Sequence, residues 1–120
     1  MNKVKVLLVE DDMAVRLHIN SVLSKNFCEV TMASDGEEAI GKYLSQKVQF
    51  DVIITDIMMP KLNGLELLQY ARKEGYADTK MIGMTSGFSS YLGSLTTEKF
   101  DLLLTKPVDF EYLLKEIQQV

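Results

Sequence analysis

The sequence predicts an α/β domain with five parallel strands in a doubly wound sheet and helices on both faces. Three observations carry that expectation. Short runs rich in Val, Ile and Leu alternate with segments whose apolar residues recur at helical period. Three of the runs are nearly continuous in apolar residues, as strands covered on both faces require. The 120 residues, 47% hydrophobic and 25% charged, suffice for one domain with its own core but not for two.

The first strand is expected over Val4 to Val9, followed by a helix over Ala14 to Ser24 that places Val15, Ile19, Val22 and Leu23 on one face. Cys28 to Met32 reads as the second strand. Ser34-Asp35-Gly36-Glu37 opens a second helix carrying Ala39, Ile40, Tyr43 and Leu44. The third strand covers Asp51 to Asp56. Asn63 caps a third helix with Leu65, Leu67, Leu68 and Ala71 inward, and Gly75 stops it. Lys80 to Thr85 forms the fourth strand. Ser89 to Thr97 is a weak fourth helix, because its Ser, Thr and Gly residues have low helix propensity or compete for backbone hydrogen bonds. Asp101 to Thr105 is the fifth strand. Pro107 and Asp109 start a fifth helix with Leu113, Leu114 and Ile117 at helical spacing. That helix finishes at the last residue, Val120, so the expected content is one domain over 1–120 without an output domain.

Composition excludes several functions. A net charge of −4 with no Lys/Arg cluster argues against a nucleic-acid surface. The single Cys28 allows no internal disulfide and reads as a small buried hydrophobe. No run has the length of a membrane span, and the N-terminus lacks a signal-peptide pattern, so a cytoplasmic location is expected.

Ligands of open parallel sheets bind beyond the carboxyl ends of the strands. Chemistry-bearing residues stand at four such ends: Glu10-Asp11-Asp12, Asp56, Thr85-Ser86 and Lys106-Pro107. Carboxylates from neighbouring strand ends repel in a partly desolvated cleft, so a cation must compensate. All-oxygen ligands point to Mg²⁺ rather than zinc, since the chain has one Cys and one His, far apart. The ligands expected are Glu10, Asp11, Asp56 and the backbone carbonyl near Met58. An aspartate can attack phosphorus to give an acyl phosphate, and Asp56 is the residue best placed to do so. Lys106 is expected to bind a phosphoryl oxygen from the opposite side, and the Thr85 hydroxyl to donate to another.

The segments Val-Glu-Asp-Asp at 9–12, Asp-Val-Ile-Ile-Thr-Asp-Ile-Met-Met-Pro-Lys-Leu-Asn-Gly at 51–64, Met-Thr-Ser at 84–86 and Thr-Lys-Pro at 105–107 resemble the receiver domain of two-component response regulators, a CheY-like superfamily. The resemblance covers essentially the whole chain. It implies a flavodoxin-like (βα)5 fold with strand order 2-1-3-4-5. It also implies an Mg²⁺-binding acidic pair in Glu10 and Asp11, phosphorylation at Asp56, a switch hydroxyl at Thr85 and a phosphate-binding lysine at Lys106. Gly64 resembles the family's glycine at the start of the third helix, and the Lys106-Pro107 bond resembles one that is usually cis. The phosphodonor so implied is a sensor histidine kinase or a histidine phosphotransfer protein, and sometimes a small acyl phosphate. The output is a change in the surface of the fourth helix, fifth strand and fifth helix that an effector reads. The domain would catalyse only its own phosphorylation and dephosphorylation.

The chain departs from the family's pattern at Leu103, where Tyr or Phe is usual, and in lacking an Ala-Gly-Ala-like run before it. The Ser/Gly-rich segment 87–97 is the candidate replacement readout, by ordering and disordering, with Tyr91 facing a partner or packing on the sheet. His18, alone on the first helix, reads as solvated or partly packed rather than as a phosphate carrier. One of Met58 and Met59 should face the core and the other border the pocket, where Met58 would shield an acyl phosphate from water. Three rival readings meet obstacles in these residues. A phosphatase of the haloacid dehalogenase type needs a second Asp where Met58 stands. An FMN carrier needs phosphate donors where Glu10-Asp11-Asp12 stands. A degenerate, binding-only receiver would not need the full acid, hydroxyl and lysine set.

Overall fold

The computed structural model describes residues 3–86 and 99–120. The expected fourth helix at Ser89 to Thr97, Tyr91 and the readout segment 87–97 lie outside the described residues.

Strands β1 (Val4–Val9), β2 (Cys28–Ala33), β3 (Val52–Asp56), β4 (Lys80–Thr85) and β5 (Leu102–Thr105) form one sheet in the order β2-β1-β3-β4-β5, as expected. Every neighbouring pair is parallel, with Val6 opposite Val52, Asp56 opposite Met84 and Thr85 opposite Thr105. The register therefore brings the carboxyl ends of β1, β3, β4 and β5 to one rim.

Alternate residues of the strands feed two separate apolar clusters. Val6, Leu8, Val52, Ile54, Ile82, Met84 and Leu104 pack under Ile19 and Leu23 of α1 (Met13–Ser24) and under Leu113 and Ile117 of α4 (Phe110–Gln118). Leu7, Val9, Ile53 and Met81 face the other way. They pack with Ala39 of α2 (Gly36–Ala39) and with Leu67, Leu68 and Ala71 of α3 (Gly64–Lys73). Each fully buried Leu or Ile side chain contributes roughly 1.5–3 kcal/mol of hydrophobic free energy.

Helix starts follow local chemistry. The side chains of Asp12, Asp35, Asn63 and Asp109 accept the N–H groups of Val15, Glu38, Glu66 and Tyr112, satisfying donors that have no helical partner. Asn63 and Glu66 exchange these bonds reciprocally as a capping box. Several details differ from expectation. α1 begins one residue earlier, at Met13, because Asp12 is its cap. The second helix changes to π-type hydrogen bonding over Ile40–Leu44, so only Gly36–Ala39 is α-helical. Leu65 is half-buried rather than inward. Asp51 and Asp101 fall just outside their strands, since both spend their side chains on neighbouring backbone. Asp51 Oδ2 accepts from Lys5 N–H at 2.9 Å, and Asp101 Oδ2 from Met81 N–H at 2.7 Å.

Arg72, near the end of α3, ties this side of the molecule together. Its guanidinium donates to the carbonyls of Tyr76, Ala77 and Thr79 at 3.1, 3.0 and 2.7 Å and pairs with Asp101 at 2.9 Å. A planar fork with five donors serves this turn and strand start together, as a lysine could not.

Candidate phosphoryl-accepting site

Among the described residues, the buried polar or charged side chains are Glu10, Thr55, Asp56 and Thr85. Three of these are strand-end residues singled out from the sequence, and Thr55 spends its hydroxyl on the Asp56 carbonyl at 2.9 Å. Glu10 is fully buried after β1. Its backbone N–H donates to the Ala33 carbonyl at 3.1 Å, and its own carbonyl accepts from Arg16 Nη1 at 2.7 Å. Asp56 closes β3 and Thr85 closes β4. The loop after β5 is fixed by the Lys106 N–H, which donates to the Thr85 carbonyl at 2.7 Å, and the Lys106-Pro107 bond is cis.

The side chains converge. Lys106 Nζ lies 2.7 Å from Glu10 Oε1 and 3.2 Å from Asp56 Oδ2. One carboxylate oxygen from each of Glu10, Asp11 and Asp56 lies within 4.8 Å of the others. Asp11 is exposed at the mouth while Glu10 and Asp56 form the buried wall. Glu10 Oε2 also accepts from the Asp12 N–H at 3.0 Å, so each Glu10 oxygen keeps one acceptor position open.

Burial raises Glu10 above its ordinary value, against the lowering effects of the Lys106 and Asp12 hydrogen bonds, and the Asp56 charge adds to the rise. Burial likewise raises Asp56; Lys106 opposes this and the Asp11 charge adds to it. Burial alone would pull Lys106 down, but its hydrogen bond to Glu10 and the charges of Asp56 and Glu10 hold it up. One ammonium thus serves two carboxylates while the third has no cation of its own in the cluster. Three acids and one lysine leave two negative charges, the complement of a divalent cation.

The donor set fits magnesium. An octahedral ion with bonds of about 2.1 Å holds neighbouring ligand oxygens about 3.0 Å and opposite ones about 4.2 Å apart, so three oxygens within 4.8 Å of one another close on it by small side-chain movements. All the side-chain donors are hard carboxylate oxygens, and Cys28 lies buried in a core cluster on β2.

Met58 is exposed beside Asp56, whereas Met59 packs against the α2/α3 cluster, which divides the two methionines as the sequence suggested. Leu103 is exposed on β5, and His18 is exposed with its ring edge-on to Phe110 at 5.3 Å. Sequence reasoning missed two contributors. Asp12 stood among the acids but serves as a cap, which an acid three residues before a helical N–H could have signalled. Arg16 anchors the Glu10 carbonyl, and no local pattern announces a contact of that kind.

Comparison with known proteins agrees with this geometry. Residues 6–118 match the family model described as response regulator receiver domain. Transcriptional regulatory protein TrcR of Mycobacterium tuberculosis is 33% identical over 116 residues, covering 96% of this chain and 44% of TrcR. Transcriptional regulatory protein CiaR of Streptococcus pneumoniae is 34% identical over 122 residues, covering 96% and 50%. The chain spans about half the length of the curated relatives it matches. Among solved structures, chemotaxis response regulator CheY4 of Vibrio cholerae superposes with a TM-score of 0.84 at 34% identity, covering 98% of both chains. A receiver domain protein of Clostridium thermocellum gives 0.87 at 27% identity, covering 97% and 92%. A family match over nearly the whole chain, on a sheet whose rim gathers acids, hydroxyl and lysine, has one meaning: the chain belongs to the response regulator receiver domains of two-component signalling.

Proposed function

We propose that Asp56 accepts a phosphoryl group from a phosphohistidine, carried by a sensor kinase or a histidine phosphotransfer protein, and that the phosphorylated domain is the signalling state. The observation that carries this reading is the Lys106 ammonium, 3.2 Å from Asp56 and 2.7 Å from Glu10, beside a third carboxylate. Such an ammonium orients the nucleophile before transfer and stabilises the oxygens of the arriving group afterwards.

In the step itself, an Asp56 oxygen forms a bond to phosphorus while the P–N bond to the donor imidazole breaks and the ring keeps the electron pair. Magnesium, held by Glu10, Asp11, Asp56 and the Met58 carbonyl, would supply charge neutralisation at the transferring oxygens. Lys106 exchanges its Asp56 contact for a phosphoryl oxygen, and the Thr85 hydroxyl donates to another. Hydrolysis of the acyl phosphate reverses the state, and Met58 at the mouth slows the approach of water. The domain thereby catalyses its own phosphorylation and dephosphorylation.

The apolar groove between α1 and the loop after β5 supports a protein donor. It holds about 710 Å³ beside Lys106 and is walled by Val15, His18, Ile19, Pro107, Val108 and Phe110. The exposed Met13 and Leu17 of α1 extend its apolar character. The output surface combines β5, α4 and the segment preceding β5, and an effector reads it.

Incubation with acetyl phosphate and Mg²⁺ followed by intact-mass measurement tests the proposal. The native chain should gain one phosphoryl group and Asp56→Asn none. Steady release of phosphate without a mass gain would point to a phosphatase, and no reaction at all to a binding-only module.

A further inference from the structure

The loop of residues 57–63, between β3 and α3, is seated on the start of α2. At its far end the Gly64 N–H donates to the Ile57 carbonyl at 2.9 Å, and a Cβ on Gly64 would come within 2.5 Å of the Asp56 carbonyl oxygen. Two residues before Gly64, at Leu62, a Cβ on Gly36 would lie 2.6 Å from Leu62 Cδ2 and 2.6 Å from the Leu62 carbonyl oxygen. The first contact could be relieved by a side-chain rotation; the second is backbone and could not. Beside it Lys61, in the left-handed region at φ 66°, places its ammonium 3.6 Å from Oδ2 of Asp35, the cap of α2. Leu62 packs against the α2/α3 cluster, and Gly36 is buried.

We propose that Gly36 is a positioning residue for the Asp56 site: its missing side chain lets the 57–63 loop seat on α2 and so sets where Asp56 and the Met58 carbonyl stand. The inference rests on the reading of this rim as a magnesium site. A methyl group at position 36 must push Leu62 away from α2. Leu62 is two residues from Gly64, so the displacement loosens the Gly64–Ile57 hydrogen bond and passes into the exposed stretch around Met58 and Pro60. An ion that demands near-ideal octahedral geometry is sensitive to such a shift. Gly41, in the same helical segment, is the natural control, because a Cβ there meets nothing within 4 Å.

The test titrates magnesium chloride into the metal-free native chain and into Gly36→Ala, Gly41→Ala and Leu62→Ala, following amide chemical shifts. Exchange of the Gly64 amide is measured without metal. Native and Gly41→Ala should bind alike, whereas Gly36→Ala should bind about tenfold more weakly, the low end for partners that orient metal ligands. Its Gly64 amide should also exchange faster, and Leu62→Ala should move both readings in the same direction. A merely structural Gly36 would lower the melting temperature yet leave the magnesium affinity of the folded chain within about twofold of native, and that result overturns the proposal. If Gly36→Ala does not fold, native affinity and native Gly64 exchange in Leu62→Ala overturn it instead. Should the native chain take up no magnesium, the metal-site reading fails, and unchanged Gly64 exchange would separately reject the seating of the loop.

Discussion

Replacing Lys106 with Met keeps most of the side-chain stem and removes only the ammonium, so the metal-free stability of this variant measures what that charge does. Two losses follow. Glu10, with no exposure, loses a charge-assisted hydrogen bond of 2.7 Å, and bonds to charged groups contribute about 1.5–3 kcal/mol. Glu10 and Asp56 also face each other without a shared cation. At the 4.8 Å within which their oxygens lie, and an effective dielectric constant of about 20, two unit charges repel by at least about 3.5 kcal/mol. Proton uptake by one of the pair relieves much of that repulsion, and the partly exposed lysine already shares some of its charge with solvent. A net loss of about 2–3 kcal/mol results. With an unfolding entropy of about 2.1 cal/mol/K per residue over 120 residues, the melting temperature should fall by about 8–12 °C in EDTA. Adding Asp56→Asn to the same chain should restore part of the loss, because Glu10 then has no charged neighbour in the wall. Calorimetry of the native, single and double variants decides the matter. Melting of Lys106→Met within about 2 °C of native, or no recovery in the double variant, would refute the view that this lysine holds two repelling acids together.

Without metal, Asp56→Asn and Asp11→Ala should be as stable as the native chain or more so, and Mg²⁺ should raise the native melting temperature; clear destabilisation of both variants would count against acid crowding. Glu10 and Asp56 keep their protons to higher pH when folded than when unfolded, so unfolding releases protons and stability falls as pH rises. That contribution is complete below the ordinary values of 4.5 and 3.8 and is lost as pH passes the raised folded ones. Urea midpoints of native and Asp56→Asn in EDTA between about pH 4 and 7 should therefore diverge in favour of the variant as pH rises. Arg72→Lys should cost about 2 kcal/mol in urea unfolding, since one ammonium cannot serve three carbonyls and Asp101. Burial pushes the Cys28 thiol up to about 11, so a thiol reagent at neutral pH should label it only as the chain unfolds.

The legible part of the molecule was the part governed by local rules. Apolar runs marked all five strands to within a residue, because burial on both faces leaves no room for polar residues at Leu7, Leu8, Ile53 or Ile54. Asn63 announced its helix through its own side chain. The strand-end rule then places Glu10, Asp56, Thr85 and Lys106 on one rim. The parts not legible depend on groups that meet only after folding. Nothing near Lys106 indicates that its ammonium spends itself on Glu10, 96 residues away. The π-type turn at Ile40–Leu44 is equally silent, since its residues suit an α-helix just as well. The seat that Gly36 makes for Leu62 could not be told from an ordinary helix-opening glycine.

Among the described residues, the sheet divides the apolar interior into two clusters that share no side chain, one beneath α1 and α4 and the other beneath α2 and α3. Substitutions in different compartments should therefore combine additively in free energy, while pairs within one compartment should show coupling. A lineage carrying this fold is then free to repack one side without retuning the other, as long as the backbone between them keeps its register.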